Sequence, residues 1–361
     1  MPVFVPGLDL SRRFFKEVVR PLLATAFPDV PYAAALLGPG SEILGFDTEM
    51  SMDHDWGPRL FLFLRAEDAK RGDTIGNLLS HQLPEMFAGF PVSFPTPTEA
   101  GTRFMTRPLV GPVKHRVISS TVRDFVRVQL GYDLARPLLT ADWLTFSSHA
   151  LGEFVAGAVY HDDIGELIAL RARFVWYPHD VWLYLLASGW QRIGQEEHLM
   201  PRAGSAGDEP GSALIGSRLV RDIMNLGFLL EKQYAPYPKW FGTAFQRLHC
   251  AQELGPLLWR AQQASTWSER AEALAHAYEA LARRQNALKM SSTLPATVSP
   301  FYDRPFPVIH GERFAQALVE QIADPSVQQI ARRRLIGNIN QWSDNTDMEG
   351  VEKEKLRQLY T

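Results

Sequence analysis

The chain has 361 residues, a net charge of −3 and a sequence pI near 6.4. That length allows two domains of about 150 residues each, and 46% hydrophobic with 21% charged residues is ordinary for a protein with a buried core. The acidic balance argues against a general nucleic-acid binder, which would carry a basic surplus. A single cysteine, Cys250, excludes an intramolecular disulfide. The sequence has no signal-peptide pattern and no apolar run long enough to span a bilayer, so we expect a soluble cytoplasmic protein.

The first third of the chain alternates helical and strand-like patterns. An amphipathic helix is predicted over residues 9–27, and a buried strand over residues 32–37 ends in a Gly-Pro-Gly-Ser turn. Residues 42–46 are predicted to begin a short helix. Further strands are predicted at residues 59–64 (RLFLFL) and at the β-branched residues 115–122. These elements predict an α+β fold with a small mixed-sheet head over residues 1–125.

Helical patterns prevail after the head. Residues 157–160 are predicted to form a turn, and residues 201–212 (PRAGSAGDEPGS) an exposed loop. From residue 213 onward the chain is predicted to be helical apart from a loop at 291–307. We therefore expect a mostly α-helical body over residues 126–361, and a further division of this body near residues 200–212 stays open.

The stretch between the first two strands carries the residues with the clearest chemistry. Gly40 and Ser41 follow a buried strand and form a turn small enough for a phosphate to approach backbone N–H groups at a helix start. Asp53 and Asp55 follow on either side of His54. In an extended segment, residues i and i+2 point to the same side, so the two carboxylates would converge on one cation and His54 would point away. Two carboxylates beside a phosphate-binding turn suit Mg²⁺.

This segment resembles a known signature. Gly40-Ser41, an eleven-residue spacer, Asp53-x-Asp55 and an apolar strand are arranged as in the polymerase-beta-type nucleotidyltransferases. The surrounding GFDTEMSMDHDWG is similar to a bacterial branch in which a nucleotidyltransferase head precedes a domain of unknown function, DUF4037. The likeness continues through GAVYHDDIG, FVWYPHDVWLYLLASGW and YAPYPKWFGTAF, over about residues 1–260.

The resemblance implies a Mg²⁺-dependent transfer of a nucleoside monophosphate from an NTP to a hydroxyl, with release of pyrophosphate. ATP is the expected donor, and a small molecule the expected acceptor, bound in a pocket of the helical body. Gly40 and Ser41 would hold the triphosphate, while Asp53 and Asp55 would bind the metal and serve catalysis. No membrane or nucleic-acid partner is indicated, and the identity of the acceptor and the oligomeric state stay open.

The resemblance also implies a third carboxylate, which lies on a later strand and acts as base for the incoming hydroxyl. The strand predicted at 115–122 contains no Asp or Glu, and Ile118 stands where one is expected. Asp124, Asp142 and Asp162 are the alternatives for this third acid. If none of them serves, the chain is a nucleotide-binding or regulatory protein without transfer activity.

Tyr237 and Lys239, in the Pro-constrained YAPYPKWFG, are further candidates for nucleotide binding. The lysine could contact a triphosphate and the tyrosine could stack on a base. A packed corner between helices, with the lysine extended to solvent, is the structural alternative. Arg171, Arg173 and Arg202 could also meet a phosphate, although surface arginines are common.

Overall fold

The computed structural model describes residues 2–95, 97–98, 101–106, 111–343, 345, 347–348 and 351–361. Cα packing divides the chain into two units, the first formed by Met1–Pro137 and Ala150–Val175 and the second by Leu138–His149 and Trp176–Thr361. The fold is α+β, as predicted. The first unit extends past residue 125 and takes up a later segment, so the boundary predicted at that residue differs from the one in the structure.

The elements of the first half follow one another in this order: α1 (Gly7–Phe14), a π-helical segment (Phe15–Val19), α2 (Arg20–Ala26), β1 (Tyr32–Leu36), a 3₁₀ helix (Glu49–Asp53), β2 (Arg59–Leu64), a 3₁₀ helix (Ala66–Asp68), α3 (Arg71–Gln82), β3 (Met86–Phe87), β4 (Phe90–Pro91), β5 (Arg116–Ser120), α4 (Val122–Leu130), α5 (Thr140–Thr145), α6 (Ser148–Val155), β6 (Ala158–Asp162) and α7 (Glu166–Arg173). Those of the second half are α8 (His179–Glu196), α9 (Leu199–Ser205), α10 (Glu209–Leu230), α11 (Pro238–Phe245), α12 (Ala251–Gln263), α13 (Trp267–Ala287), β7 (Ser299–Phe301), β8 (Arg304–Val308), α14 (Gly311–Val319), α15 (Pro325–Arg333), α16 (Ile339–Trp342) and α17 (Lys353–Arg357).

A four-stranded mixed sheet forms the frame of the first unit, with strand order β5-β2-β1-β6. β1 pairs antiparallel with both β2 and β6, whereas β2 and β5 are parallel. The sequences of β1 and β2 are almost continuously apolar, which fits the burial of most of their side chains. The parallel register places Arg59 opposite Arg116, so the first residues of the central strand β2 and the edge strand β5 are charged neighbours.

The core of the first unit lies between this sheet and the helices α1 to α3. The spacing of apolar residues along residues 7–26 puts Leu10, Phe14, Val19 and Leu23 on the buried side, where they meet Leu62 and other side chains of the sheet. Each fully buried side chain of this size contributes about 1.5–3 kcal/mol. This packing fixes the position of β2, and hence of the segment that precedes it.

The second unit is built around α8, whose side chains from Val181 to Ala187 are all buried. Trp190 on the same helix stacks on Phe314 of α14, with ring centroids 4.4 Å apart, and its indole N–H donates to Gln285 Oε1 at 3.1 Å. α10 and α14 pack directly against α8. A helix that is apolar on every side is buried on every side, as expected for a central element.

Four sequence predictions about local structure are wrong, wholly or in part. Residues 157–160 are predicted as a turn, but residues 158–160 belong to β6, which forms hydrogen-bonded register pairs with β1. Residues 42–46, predicted as a short helix, form hydrogen-bonded turns instead, with the N–H of Ile43 donating to the Gly40 carbonyl at 3.1 Å. The positive φ of 68° at Gly45 prevents these turns from continuing as a helix.

Residues 201–212 are not a loop but the ends of two helices. Asp208 caps α10 by accepting a hydrogen bond from the N–H of Gly211, and Pro210 occupies the first turn, where no N–H is needed. Gly204 lies within α9 against Trp267. The residues that resemble a loop are therefore helix caps. The loop predicted at 291–307 contains most of a hairpin, β7–β8. Within the described residues no helix combines the length and apolar character needed to cross a bilayer.

Candidate functional site

A buried ion pair underlies the turn that follows β1. Arg59 donates through Nε and Nη2 to Glu42 Oε1, at 2.9 and 2.5 Å, and both side chains are almost completely buried. The Arg59 guanidinium also donates to the Pro39 carbonyl at 2.9 Å. Gly40 has φ of 149°, and a Cβ there would lie 2.5 Å from Glu42 Oε2. The pair therefore shapes the turn and requires glycine at position 40.

The Gly40-Ser41 turn retains unused hydrogen-bonding groups. Among the described residues, the backbone N–H groups of Gly40 and Ser41 and the Ser41 hydroxyl have no hydrogen-bond partner. Both residues are partly exposed. Free N–H groups in a tight turn form a concave site for an anion even without the predicted helix. The predicted phosphate-binding role of the turn thus has chemical groups available for it.

The Asp53-His54-Asp55 segment is not extended as predicted. Asp53 ends the 3₁₀ helix, His54 is extended, and Asp55 has a left-handed backbone with φ of 51°. The Asp55 N–H donates to the Arg103 carbonyl at 2.8 Å, which holds the residue in that conformation. The simple alternation of i and i+2 therefore does not apply. His54 does not point away from the aspartates, because its Nδ1 lies 2.9 Å from Asp53 Oδ1.

Asp55 is paired with an arginine from β5. Arg116 donates to Asp55 Oδ1 at 2.7 Å, and the side chains are 16% and 42% exposed, respectively. The Arg116 guanidinium lies 5.4 Å from the ring centroid of Phe94. Burial and the charges of Arg59 and Arg103 lower the pKa of Arg116, while Asp55 opposes this shift. The charges of Arg59 and Arg103 therefore both reach Arg116, while Arg59 and Arg116 are each paired with a carboxylate.

Four of the five acids in residues 40–55 divide into two kinds, and the fifth, Glu49, is exposed at the start of the 3₁₀ helix. Glu42 is buried against Arg59, and Asp47 Oδ2 accepts from the Gly7 N–H at 2.7 Å and from Trp56 Nε1 at 3.0 Å. These two acids hold the segment in place. Asp53, whose side chain is 58% exposed, and Asp55 remain accessible to a ligand.

None of the proposed third carboxylates is placed to complete a metal site. In the described part of the chain, no three His, Cys, Asp or Glu side chains form a group that could hold a metal ion. Asp124 accepts from the Thr121 hydroxyl at the start of α4. Asp162 accepts from the backbone N–H groups of Gly165 and Ile168. Asp142 is fully buried and accepts from the backbone N–H of Leu139 at 2.8 Å.

The second unit contains Tyr237 and Lys239. Tyr237 is the N-cap residue of α11 and lines a cavity, with its ring 6.4 Å from that of His149. Lys239 is exposed, and its Nζ lies 5.0 Å from the ring centroid of Trp240. This placement matches the expected corner between helices, and nucleotide binding by these two residues stays a prediction.

The three isolated arginines differ in their roles. Arg171 Nε donates to the Phe154 carbonyl, and its Nη2 donates to those of Val155 and Ala156, so it caps the end of α6. Arg173 and Arg202 are exposed. A structural role therefore accounts for Arg171.

The sequence did not single out Glu42, Arg59, Arg103 or Arg116. A charged residue at the start of each apolar strand was the available signal for Arg59 and Arg116. Only the parallel pairing of β2 with β5 brings these two arginines together. A single sequence contains no trace of that register.

No curated protein matches the chain. Among solved structures, a nucleotidyltransferase-like protein from Exiguobacterium sibiricum 255-15 is similar over 77% of this chain and 75% of that chain, with 11% identity and a TM-score of 0.31. The family model of DUF4037, a domain of unknown function, matches residues 143–241. That range contains GAVYHDDIG, FVWYPHDVWLYLLASGW and YAPYPKWF. The DUF4037 resemblance predicted from these motifs is therefore confirmed over residues 143–241.

Proposed function

We propose that the protein is a Mg²⁺-dependent nucleotidyltransferase that moves a nucleoside monophosphate from an NTP, ATP in the first instance, to a hydroxyl of a small molecule. The observation that carries this proposal is the division of acids around the Gly40-Ser41 turn. Glu42 and Asp47 are engaged within the protein, whereas Asp53 and Asp55 keep accessible carboxylates.

Gly40, Ser41 and Arg116 would bind the triphosphate. The free N–H groups of the turn supply neutral donors, and the Arg116 guanidinium supplies a planar charged donor suited to phosphate oxygens. Arg103 adds positive charge close to Arg116. Together they would offset much of the negative charge of the nucleotide.

The two carboxylates would hold a magnesium ion that arrives with its nucleotide. Mg²⁺ commonly takes one or two protein carboxylates and completes its shell with substrate phosphate oxygens and water. Asp53 and Asp55 supply that number, and the two residues would hold the ion. When bound, Mg²⁺ neutralises charge on the phosphates and on the leaving pyrophosphate.

The reaction would join the acceptor hydroxyl oxygen to the α-phosphorus and break the bond from that phosphorus to the bridging oxygen of pyrophosphate. The hydroxyl proton must leave at the same time. Among the described residues no third acid accompanies Asp53 and Asp55, so solvent is the proposed acceptor of this proton. The role of Arg116 would be to position the phosphates and stabilise charge that develops on them.

Binding of ATP to the full-length protein, measured by calorimetry with Mg²⁺ and again with EDTA, tests the proposal. We expect Mg²⁺-dependent binding in the wild type and a loss of about tenfold or more in affinity in Asp53→Asn/Asp55→Asn, because each charge-assisted contact is worth about 1.5–3 kcal/mol. Glu49→Gln is the matched control, since Glu49 is an exposed acid at the start of the same 3₁₀ helix. Equal, metal-independent binding by the double variant would contradict the metal assignment.

A second candidate function is nucleotide binding without transfer, and a specific observation favours it. On β5, the strand where the family resemblance expects a third acid, the residue next to Asp55 is Arg116. Release of pyrophosphate from ATP, with water and with small hydroxyl compounds as acceptors, separates the two functions. Mg²⁺-dependent pyrophosphate release that is abolished in Asp53→Asn/Asp55→Asn supports the transferase. Tight Mg²⁺-dependent ATP binding without any release supports the binding protein.

A further inference from the structure

Two charged side chains that the proposed function assigns to different parts of a metal–nucleotide complex are bound to each other. Arg116 Nη1 donates to Asp55 Oδ1 at 2.7 Å, and among the described residues neither side chain has another hydrogen-bond partner. The guanidinium is the proposed partner of a phosphate, and the carboxylate is a proposed partner of Mg²⁺. A ligand that engages either group must therefore break or replace this ion pair.

The backbone holds both partners of the pair in place. The Asp55 N–H donates to the Arg103 carbonyl at 2.8 Å, and Arg116 is the first residue of β5, in register with Arg59. The Arg116 guanidinium also lies 5.4 Å from the ring centroid of Phe94. Because the Asp55 side chain is 42% exposed, a ligand from solvent can reach the pair, and an exchange of partners requires movement of side chains alone.

The surroundings of Arg116 provide no second acid that could take the place of Asp55. Arg59 is already paired with Glu42, and both side chains are almost completely buried. Burial and the positive charges of Arg59 and Arg103 lower the pKa of Arg116, and Asp55 opposes this shift. Without Asp55, Arg116 would therefore keep two like-charged neighbours and, among the described residues, no acid paired with it.

This arrangement penalises a ligand that brings only one kind of charge. A metal-free polyphosphate bound to Arg116 would have the Asp55 carboxylate, a like charge, beside it. A bare cation bound to Asp55 would have the guanidinium beside it. A like charge at close range lowers affinity, and a charge that loses its partner adds to that cost. Asp53 does not remove the conflict, because it supplies a cation with only one carboxylate outside the pair.

From the ion pair and its surroundings, we infer that Asp55 and Arg116 make the site selective for a metal–polyphosphate complex over metal-free polyphosphate or the bare cation. In the complex, Asp55 would exchange the guanidinium for the cation, and Arg116 would exchange the carboxylate for a phosphate oxygen. Each charge then keeps a partner of opposite sign. The inference rests on the proposed function for the identity of the ligand, and it goes beyond that function by assigning the selectivity to one ion pair.

Binding measurements on the full-length chain with each component alone test the inference. The probes are tripolyphosphate in EDTA, measured by calorimetry, and Mn²⁺ without nucleotide, measured by electron paramagnetic resonance. Asp55→Asn should bind metal-free tripolyphosphate about five- to tenfold more tightly than the wild type, because it releases Arg116 and removes a like charge. Arg116→Gln should bind Mn²⁺ alone about five- to tenfold more tightly for the same reason. Both variants should bind Mg²⁺–tripolyphosphate less tightly than the wild type.

Glu272→Gln and Arg260→Gln are the matched controls, because they remove the same charges from an exposed ion pair of 2.6 Å between α12 and α13. Both should bind tripolyphosphate and Mn²⁺ like the wild type. Misfolding would weaken binding, so it cannot produce the expected gains in affinity. The lack of either gain, or equal gains in the controls, would overturn the inference.

The same measurements separate the inference from the proposed function. Both gains, in a wild type that binds Mg²⁺–tripolyphosphate but not Mg²⁺–ATP, would support the selectivity of the pair and contradict the nucleotidyltransferase. Mg²⁺-dependent binding of ATP by the wild type, with neither gain in the two variants, would support the proposed function and contradict the selectivity.

Discussion

Two arginine–carboxylate pairs lie at the same end of the sheet and differ in their exposure. Arg59 and Glu42 are 6% and 3% exposed, whereas Arg116 and Asp55 are 16% and 42% exposed. The register pairs Arg59 with Arg116, so the two ion pairs are neighbours. Removing one partner of a buried pair leaves a charge without water, while an exposed pair can exchange its partner at little cost. The same chemical pair therefore acts as scaffold when buried and as a candidate ligand site when exposed.

The largest loss of stability is expected when the buried Arg59–Glu42 pair is broken. Glu42→Ala leaves the Arg59 guanidinium uncompensated below the turn, and we expect it to lower the free energy of unfolding of the first unit by about 3–5 kcal/mol. Chemical denaturation monitored by tryptophan fluorescence measures this change. Glu49→Ala, at an exposed acid nearby, should change it by less than about 0.5 kcal/mol. If the two substitutions lowered the free energy of unfolding equally, the buried acid could not be distinguished from an exposed one as a structural residue.

The second unit contains a buried carboxylate, Glu197, that is paired with backbone N–H groups instead of an arginine. Glu197 accepts from the N–H groups of Ile309 and Gly311 at 2.6 and 3.0 Å, and burial raises its pKa from 4.5 to about 7. Between these two values the folded state retains a proton that the unfolded state has lost. Stability contributed by Glu197 is therefore present below pH 4.5 and declines by about 3 kcal/mol as the pH rises to 7.

Glu197→Gln tests this pH dependence because the amide does not titrate. Relative to the wild type, the variant should gain about 3 kcal/mol of unfolding free energy between pH 4.5 and pH 7. Denaturation curves at several pH values give the difference in unfolding free energy between variant and wild type. For the control Glu320→Gln, at an exposed acid, this difference should not change with pH. If the difference between Glu197→Gln and the wild type also stays constant with pH, the Glu197 carboxylate is not the source of the pH dependence.

Gly40→Ala tests how the buried pair shapes the turn. At φ of 149° an alanine is strained, and its Cβ would meet Glu42 Oε2 at 2.5 Å and Arg59 Nη2 at 2.7 Å. We expect a loss of about 2 kcal/mol of unfolding free energy, measured by the same denaturation assay. Gly76→Ala is the control, because a Cβ there meets no atom within 4 Å. It lies inside α3, where alanine is favoured over glycine, so the control should not destabilise the protein.

The smallest effect on stability should come from the exposed pair. Asp55→Asn should lower the free energy of unfolding by less than about 1 kcal/mol, because the Asp55 carboxylate is already partly hydrated. The Mg²⁺-dependent binding of ATP should fall far more than stability does. A loss of stability as large as that of Glu42→Ala would identify the Asp55–Arg116 pair as scaffold and count against a ligand site there.

The parts of the fold that the sequence predicts well are those with a strong local pattern. Strand β2 coincides with the apolar run RLFLFL, and the helical pattern over residues 9–27 matches α1, the π-helical segment and α2. The sequence does not predict β6, because its residues, AVYHD, are only partly buried and do not alternate between apolar and polar. This strand forms because it pairs with β1, which is distant along the chain. Such long-range pairing leaves no mark on local residue types.

The geometry of the candidate site could not be predicted from the sequence, and the roles of its residues stay predictions. The Gly40-Ser41 turn has free N–H groups, and Asp53 and Asp55 have accessible carboxylates. Alternation along an extended segment failed because the Arg103 carbonyl and the Arg116 guanidinium hold Asp55 in a left-handed conformation. Those two partners come from later parts of the chain, which spacing within the motif cannot report.

The strand order β5-β2-β1-β6 has a consequence for how the protein is made. Three strands of the sheet are complete once residue 120 has been synthesised. One side of β1 stays unpaired until β6 follows, beyond residues 138–149, which belong to the other unit. An apolar edge strand that waits for its partner is a site for pairing between nascent chains. A fragment that ends at residue 125 would keep this edge permanently and should be prone to aggregation, whereas one that ends after β6 could close its sheet.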